Sequence, residues 1–135
     1  METIIVMEAW EAIALGVFTL MMGLGIAGVW TADLASGKFS GHGGFFSWHN
    51  DAGEPLWTHV LAEYLTATGL IAAAAGAFAQ AVWAVPLSLI FLGALAYTSL
   101  NSLGWTFARK GRTGYAIPMI TGLAGSIFLL CLILW

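Results

Sequence analysis

The sequence predicts an all-α integral membrane protein. The expected architecture is a four-transmembrane-helix bundle with a cytoplasmic-side loop between helices 1 and 2, all in a single membrane domain spanning 1–135. Three observations point there. First, 60% of the 135 residues are hydrophobic and 8% are charged, whereas soluble domains carry roughly 25% charged residues. A globule of this size buries too small a fraction of its surface to hide such a chain from water. Second, four apolar runs, 4–30, 56–85, 87–107 and 115–135, each reach the length of about 20 residues that a spanning helix needs. Third, aromatic residues bracket the runs: Trp10 and Trp30, Trp57 and Trp83, Trp83 and Trp105, Tyr115 and Trp135. Amphipathic rings favour the headgroup zone, so they read as two aromatic belts.

Taken in order, the helices are expected over about 4–31, 56–82, 87–108 and 114–135, with a loop at 33–55 and a short turn at 84–86. The start lacks a basic n-region and the first run is long for a signal sequence, so that run is expected to remain as a helix. Pro118 falls early in the fourth run, where a missing N–H is tolerated. The loop is rich in glycine and aromatics, and Phe45, Phe46 and Trp48 are too apolar to float in water. It is expected to lie on the membrane interface as a cap over the bundle.

Orientation follows from the four basic residues. Lys38 lies between the first two runs, and Arg109, Lys110 and Arg112 lie between the last two. With four crossings these connections share one face, which the positive-inside rule makes cytoplasmic. Both termini are then expected on the non-cytoplasmic side.

Small and polar residues recur at helical spacing in every run. The stripes are Ala12, Gly16, Thr19, Gly23 and Ala27; His59, Ala62, Glu63, Thr66, Gly69, Ala73 and Gly76; Gly93, Ala94, Tyr97, Asn101 and Gly104; and Gly114, Pro118, Thr121 and Gly125. Helices in lipid associate by close backbone approach and interhelical hydrogen bonds, so these stripes are expected to face inward.

Glu63 is the one acidic residue well inside a run, about 9 Å along the helix from Trp57 at 1.5 Å per residue. His59 precedes it by one turn on the same face. Depth counting brings Tyr97, Asn101 and Thr121 to a similar level. His59, Glu63, Tyr97, Asn101 and Thr121 are therefore expected to form one polar pocket in the cytoplasmic half. An intramembrane carboxylate is costly, which makes Glu63 a candidate for handling a ligand, proton or ion. The competing reading is structural, with Glu63 tied to His59 or Asn101. Glu8 and Glu11 flank Trp10 and read as a solvated helix start with acid at the dipole's positive end. Met7, Met21, Met22 and Met119 read as packing filler.

Other chemistries find little support. Cys131 is the only cysteine, which excludes an intrachain disulfide and a CxxC pair. His49, Asp51, His59 and Glu63 are a weak match to metal-ligand spacings. His59 is the one histidine expected on a helix, so a bis-His haem is disfavoured and a pigment held by His59 alone stays open. His42 and His49 read as loop residues. There is no Ser-His-Asp set, phosphate loop or zinc-protease motif, so the residues do not call for an enzyme, and the cofactor is unknown. No basic patch suits nucleic acid. The expected partners are the lipid bilayer and other membrane subunits or further copies of the chain. The expected role is a non-catalytic accessory or structural subunit of a larger membrane complex. The alternative is a small carrier or redox-linked protein that binds a proton, ion, quinone or pigment at the His59/Glu63 pocket.

Overall fold

The computed structural model describes residues 7–36, 55–107 and 113–135, without the side chains of Trp105 and Thr113. These segments form four α-helices: α1 (Ala9–Ala35), α2 (Trp57–Phe78), α3 (Ala84–Phe107) and α4 (Ala116–Leu134). A 3-10 turn, Thr113–Tyr115, leads into α4. All four helices are long and apolar enough to cross a membrane. Their lengths of 27, 22, 24 and 19 residues correspond to about 28–40 Å at 1.5 Å per residue, against a hydrocarbon core of about 30 Å. The expected loop cap with Phe45, Phe46 and Trp48, and the basic residues Lys38, Arg109, Lys110 and Arg112, lie outside the described residues.

The helix boundaries differ from the sequence expectation in three places. α1 starts at Ala9, where Glu8 and Glu11 form a capping box, rather than near residue 4. α1 runs on to Ala35 rather than ending at 31. Its last turn, Ala-Asp-Leu-Ala, contains no residue that breaks a helix, and Ser36 closes it. The turn expected at 84–86 lies instead between Phe78 and Ala84, and Pro86 belongs to the first turn of α3. A proline is compatible there because first-turn N–H groups have no intrahelical partner. What ends α2 is Gln80, with φ +50°. The Ala81 N–H donates to the Gly76 carbonyl at 2.9 Å and the Gln80 N–H to the Ala77 carbonyl at 3.0 Å. This is a Schellman closure with glutamine in the left-handed position that glycine usually fills.

Successive helices pack antiparallel in chain order, α1 on α2, α2 on α3, α3 on α4, while α1 and α4 barely touch. The core is made by Leu15 of α1, Leu70 and Ala77 of α2, Leu92 and Leu95 of α3, and Leu129 of α4. On α1 the buried residues are Ala12, Leu15, Gly16, Thr19 and Gly23, and on α2 they include Glu63, Thr66, Gly69, Ala73 and Gly76. Here most of the small stripe lies on the buried face, although Ala27 is half-buried and Ala62 is exposed.

On α3 it does not. Tyr97 is 72% exposed and Asn101 is exposed; Gly93 and Gly104 have open space where a side chain would start. The buried face carries Ser88, Leu92, Leu95, Ser99 and Thr106. The cause lies in its neighbours. α3 supplies side chains that fill spaces left by glycines on both sides: the Phe91 ring covers Gly69 of α2, and the Ser99 hydroxyl sits against Gly122 of α4, where a Cβ would come within 2.6 Å of it. Small residues on α2 and α4 receive it, so its own need not face inward. α4 likewise buries Ala116, Gly122, Ser126 and Leu129 and exposes Thr121 and Pro118 from the expected stripe.

Candidate functional site

The sparse contact between α1 and α4 leaves a cavity of about 320 Å³ in the half of the bundle containing the α2 N-terminus. From α1 it is lined by Met21, Met22, Gly25, Ile26, Val29 and Trp30. From α4 and the turn before it come Tyr115, Ile117, Pro118, Met119 and Thr121. α3 contributes Leu95, Thr98 and Ser99, and α2 contributes a single residue, Glu63. The lining is apolar apart from these few groups.

Glu63 is placed there by helix geometry. It follows Val60 and precedes Thr66, Ala67 and Leu70 on the buried face of α2, so its side chain enters the bundle and is only 8% exposed. His59, one turn earlier, brings Nε2 to 3.6 Å from Glu63 Oε1 and is itself 33% exposed. That separation suits an electrostatic contact rather than a direct hydrogen bond. The Trp30 ring meets the His59 ring edge-on, with centroids 5.3 Å apart and planes at 68°, a favourable aromatic geometry. Beyond it Thr31 and Tyr64 share a hydrogen bond of 2.8 Å, which ties α1 to α2 just outside the cavity.

The threonines around the carboxylate point their hydroxyl protons at their own helices. Thr98 Oγ1 donates to the Leu95 carbonyl at 3.2 Å and Thr121 Oγ1 to the Ile117 carbonyl at 3.0 Å. Thr66, a turn deeper on α2, does the same to Ala62 at 2.8 Å. Such back-bonding satisfies the donor and leaves the oxygen lone pairs available.

Of the five residues the sequence grouped together, Glu63 and Thr121 line the cavity, and His59 stands beside Glu63. Tyr97 and Asn101 do not join them; they lie on the outward face of α3. Thr98 and Ser99 take that level instead. Their signal was the stripe Ser88–Leu92–Leu95–Ser99, which has helical spacing but little small-residue character. Met21, Met22 and Met119, read as filler, form much of the wall. Among the described residues no three of His, Cys, Asp and Glu come together as a metal-ligand set.

A second, smaller cavity of about 180 Å³ lies at the opposite end of the same seam, lined by Met7, Glu11, Leu15, Leu129, Leu132 and Ile133 with Trp135. Glu11 is engaged at the helix start, accepting the Glu8 N–H at 2.7 Å, while Glu8 accepts the Trp10 indole N–H at 2.7 Å. Between the two cavities the Phe18 ring of α1 lies against Gly125 of α4.

The fold and site thus define a class: an all-helical protein with four candidate membrane spans and a buried carboxylate at the base of an apolar cavity. The chain belongs to the family described as a domain of unknown function, DUF8058, whose profile matches residues 8–135. No curated protein and no solved structure matches the chain significantly.

Proposed function

We propose that this is a four-pass integral membrane protein that binds a small, membrane-dissolved molecule in the Glu63 cavity. The single observation that carries the reading is the siting of a carboxylate, 8% exposed, at the base of an otherwise apolar cavity where α1 and α4 are parted. A structural acid would be expected to link two helices through a hydrogen bond. Glu63 has instead an intrahelical neighbour, His59, and an open volume in front of it. Few polar groups in an apolar recess is the usual composition of a small-molecule site.

Membrane residence is supported by α4, which exposes Ile120, Ile127, Phe128 and Leu134 away from the cavity. An apolar face of that extent is unfavourable in water. In the proposed orientation both termini lie on the non-cytoplasmic side, and the cavity lies in the cytoplasmic half.

A second reading, compatible with the first, is a subunit role in a larger membrane assembly. The observation favouring it is the outward face of α3, where Asn101 and Tyr97 are exposed between Gly93 and Gly104. An amide facing lipid gains from a hydrogen-bonding helix, and the glycines permit close approach. Comigration of the chain with a larger complex on native gels, lost in Asn101→Leu, is the expected result.

The test of the binding reading is equilibrium dialysis of radiolabelled 1-adamantanol against detergent-solubilised protein. Saturable binding is expected for the native chain and none for Gly25→Leu. Gly25 lines the cavity and has nothing within 4 Å of its Cβ position, so leucine there fills the space without a clash at its root. Absence of saturable binding to the native chain overturns the reading.

A further inference from the structure

We propose that the ligand of the Glu63 cavity is a lipophilic ammonium: a compact hydrocarbon body bearing a protonated amine. This deepens the binding reading above and rests on it.

The argument is a donor and acceptor census of the lining. Thr98 and Thr121 direct their protons to the Leu95 and Ile117 carbonyls, so what they offer the cavity is lone pairs. Glu63 offers carboxylate oxygens. Met21, Met22 and Met119 offer thioether sulfurs, which are weak acceptors and polarizable. Ser99 and Tyr115 add hydroxyls that both donate and accept, and Trp30 an indole N–H. A ligand that brings N–H donors is the one that uses Glu63 together with the threonine and thioether acceptors.

Charge points the same way. Among the described residues the ionisable neighbour of Glu63 is His59, one turn away on its own helix. A buried carboxylate is stabilised most by a cation that also hydrogen-bonds to it. Two aromatic side chains, Trp30 and Tyr115, line the cavity on facing elements, and aromatic faces attract ammonium groups. The remaining wall, Ile26, Val29, Leu95 and Ile117 among others, is hydrocarbon and sets the requirement for a lipophilic body. Methionine thioethers adapt to varied shapes, so recognition is expected to depend on charge and size more than on outline.

The experiment compares three headgroups on one cage: 1-adamantylammonium, 1-adamantanol and 1-adamantanecarboxylate, each by equilibrium dialysis against the native chain, Glu63→Gln and Gly25→Leu. The expected order on the native chain is ammonium first, by at least about tenfold over the alcohol, given the greater strength of hydrogen bonds to charged groups, with the carboxylate last. Glu63→Gln should remove the preference of the chain for the ammonium over the alcohol. A circular dichroism spectrum and melting temperature matching those of the native chain show that the variant is folded. Gly25→Leu should remove all three. Equal binding of ammonium and alcohol, or a preference that survives Glu63→Gln, overturns the ammonium assignment and leaves the binding reading standing. No saturable binding of any cage compound to the native chain overturns both.

Discussion

Gly23 of α1 lies so close to Ala67 of α2 that a Cβ on it would stand 2.9 Å from the Ala67 carbonyl oxygen and 2.8 Å from Ile71 Cγ1. Backbone cannot rotate out of the way as a side-chain end can, so this contact sets the α1–α2 separation. The first prediction is a matched pair on one helix. Gly23→Ala should force the helices apart and destabilise the protein by about 1–3 kcal/mol, the usual range for overpacking. Gly25→Ala, two residues on with open space at its Cβ, should be neutral or stabilising by up to about 1 kcal/mol from helix propensity. Thermal unfolding in a single detergent, followed by circular dichroism, reads both. Equal melting temperatures for the two variants would contradict the packing.

The Schellman closure at the end of α2 gives a second prediction. Gln80 holds a left-handed conformation, which costs an L side chain roughly 1–2 kcal/mol. Gln80→Gly should raise stability by about 0.5–1 kcal/mol because glycine adopts this conformation without strain. Gln80→Val, β-branched, should lower it. A lower melting temperature for the glycine variant would rule out the positive φ.

Ser88 and Ser126 are fully buried, and among the described residues neither hydroxyl has a hydrogen-bond partner. An unsatisfied buried hydroxyl is unfavourable, and alanine removes it at little cost in volume. Ser126→Ala is expected to leave stability unchanged or raise it by up to about 1 kcal/mol, and Ser88→Ala should behave alike. Denaturation in mixed micelles measures the difference. A loss of more than about 1 kcal/mol would mean that the hydroxyl makes a bond.

The proposed orientation is tested at Ser36, which caps the end of α1, and Gln80, in the α2–α3 turn. These positions fall at opposite ends of the antiparallel bundle. In a Cys131→Ala background, a membrane-impermeant maleimide applied to intact cells should label Gln80→Cys and spare Ser36→Cys until the membrane is opened. The reverse pattern would invert the topology, and labelling of both in intact cells would argue against four crossings.

Residence of the chain in membranes is checked more simply. Alkaline carbonate should leave the native protein in the membrane pellet, because only detergent replaces the lipid that four apolar helices require. Release into the supernatant would refute an integral location.

The sequence by itself determined the number and approximate extent of the helices and the presence of a buried acid on the second. Run length and composition were enough for the first. For the second, Glu63 shares a helical face with Thr66, Gly69 and Ala73, all of which are buried.

Which face of α3 turns inward, and where the helices part, emerged from the packed bundle alone. When apolar residues occur on every face of a helix, hydrophobic contrast no longer distinguishes inside from outside, and small size is an ambiguous substitute. A glycine receives a neighbour's side chain only if that neighbour presents one, as Phe91 does to Gly69 and Phe18 to Gly125. Tyr97 and Asn101, on the expected inward stripe of α3, therefore face away. The cavity arises from the gap between α1 and α4, two helices far apart in the chain, and no local pattern in either records how closely they meet.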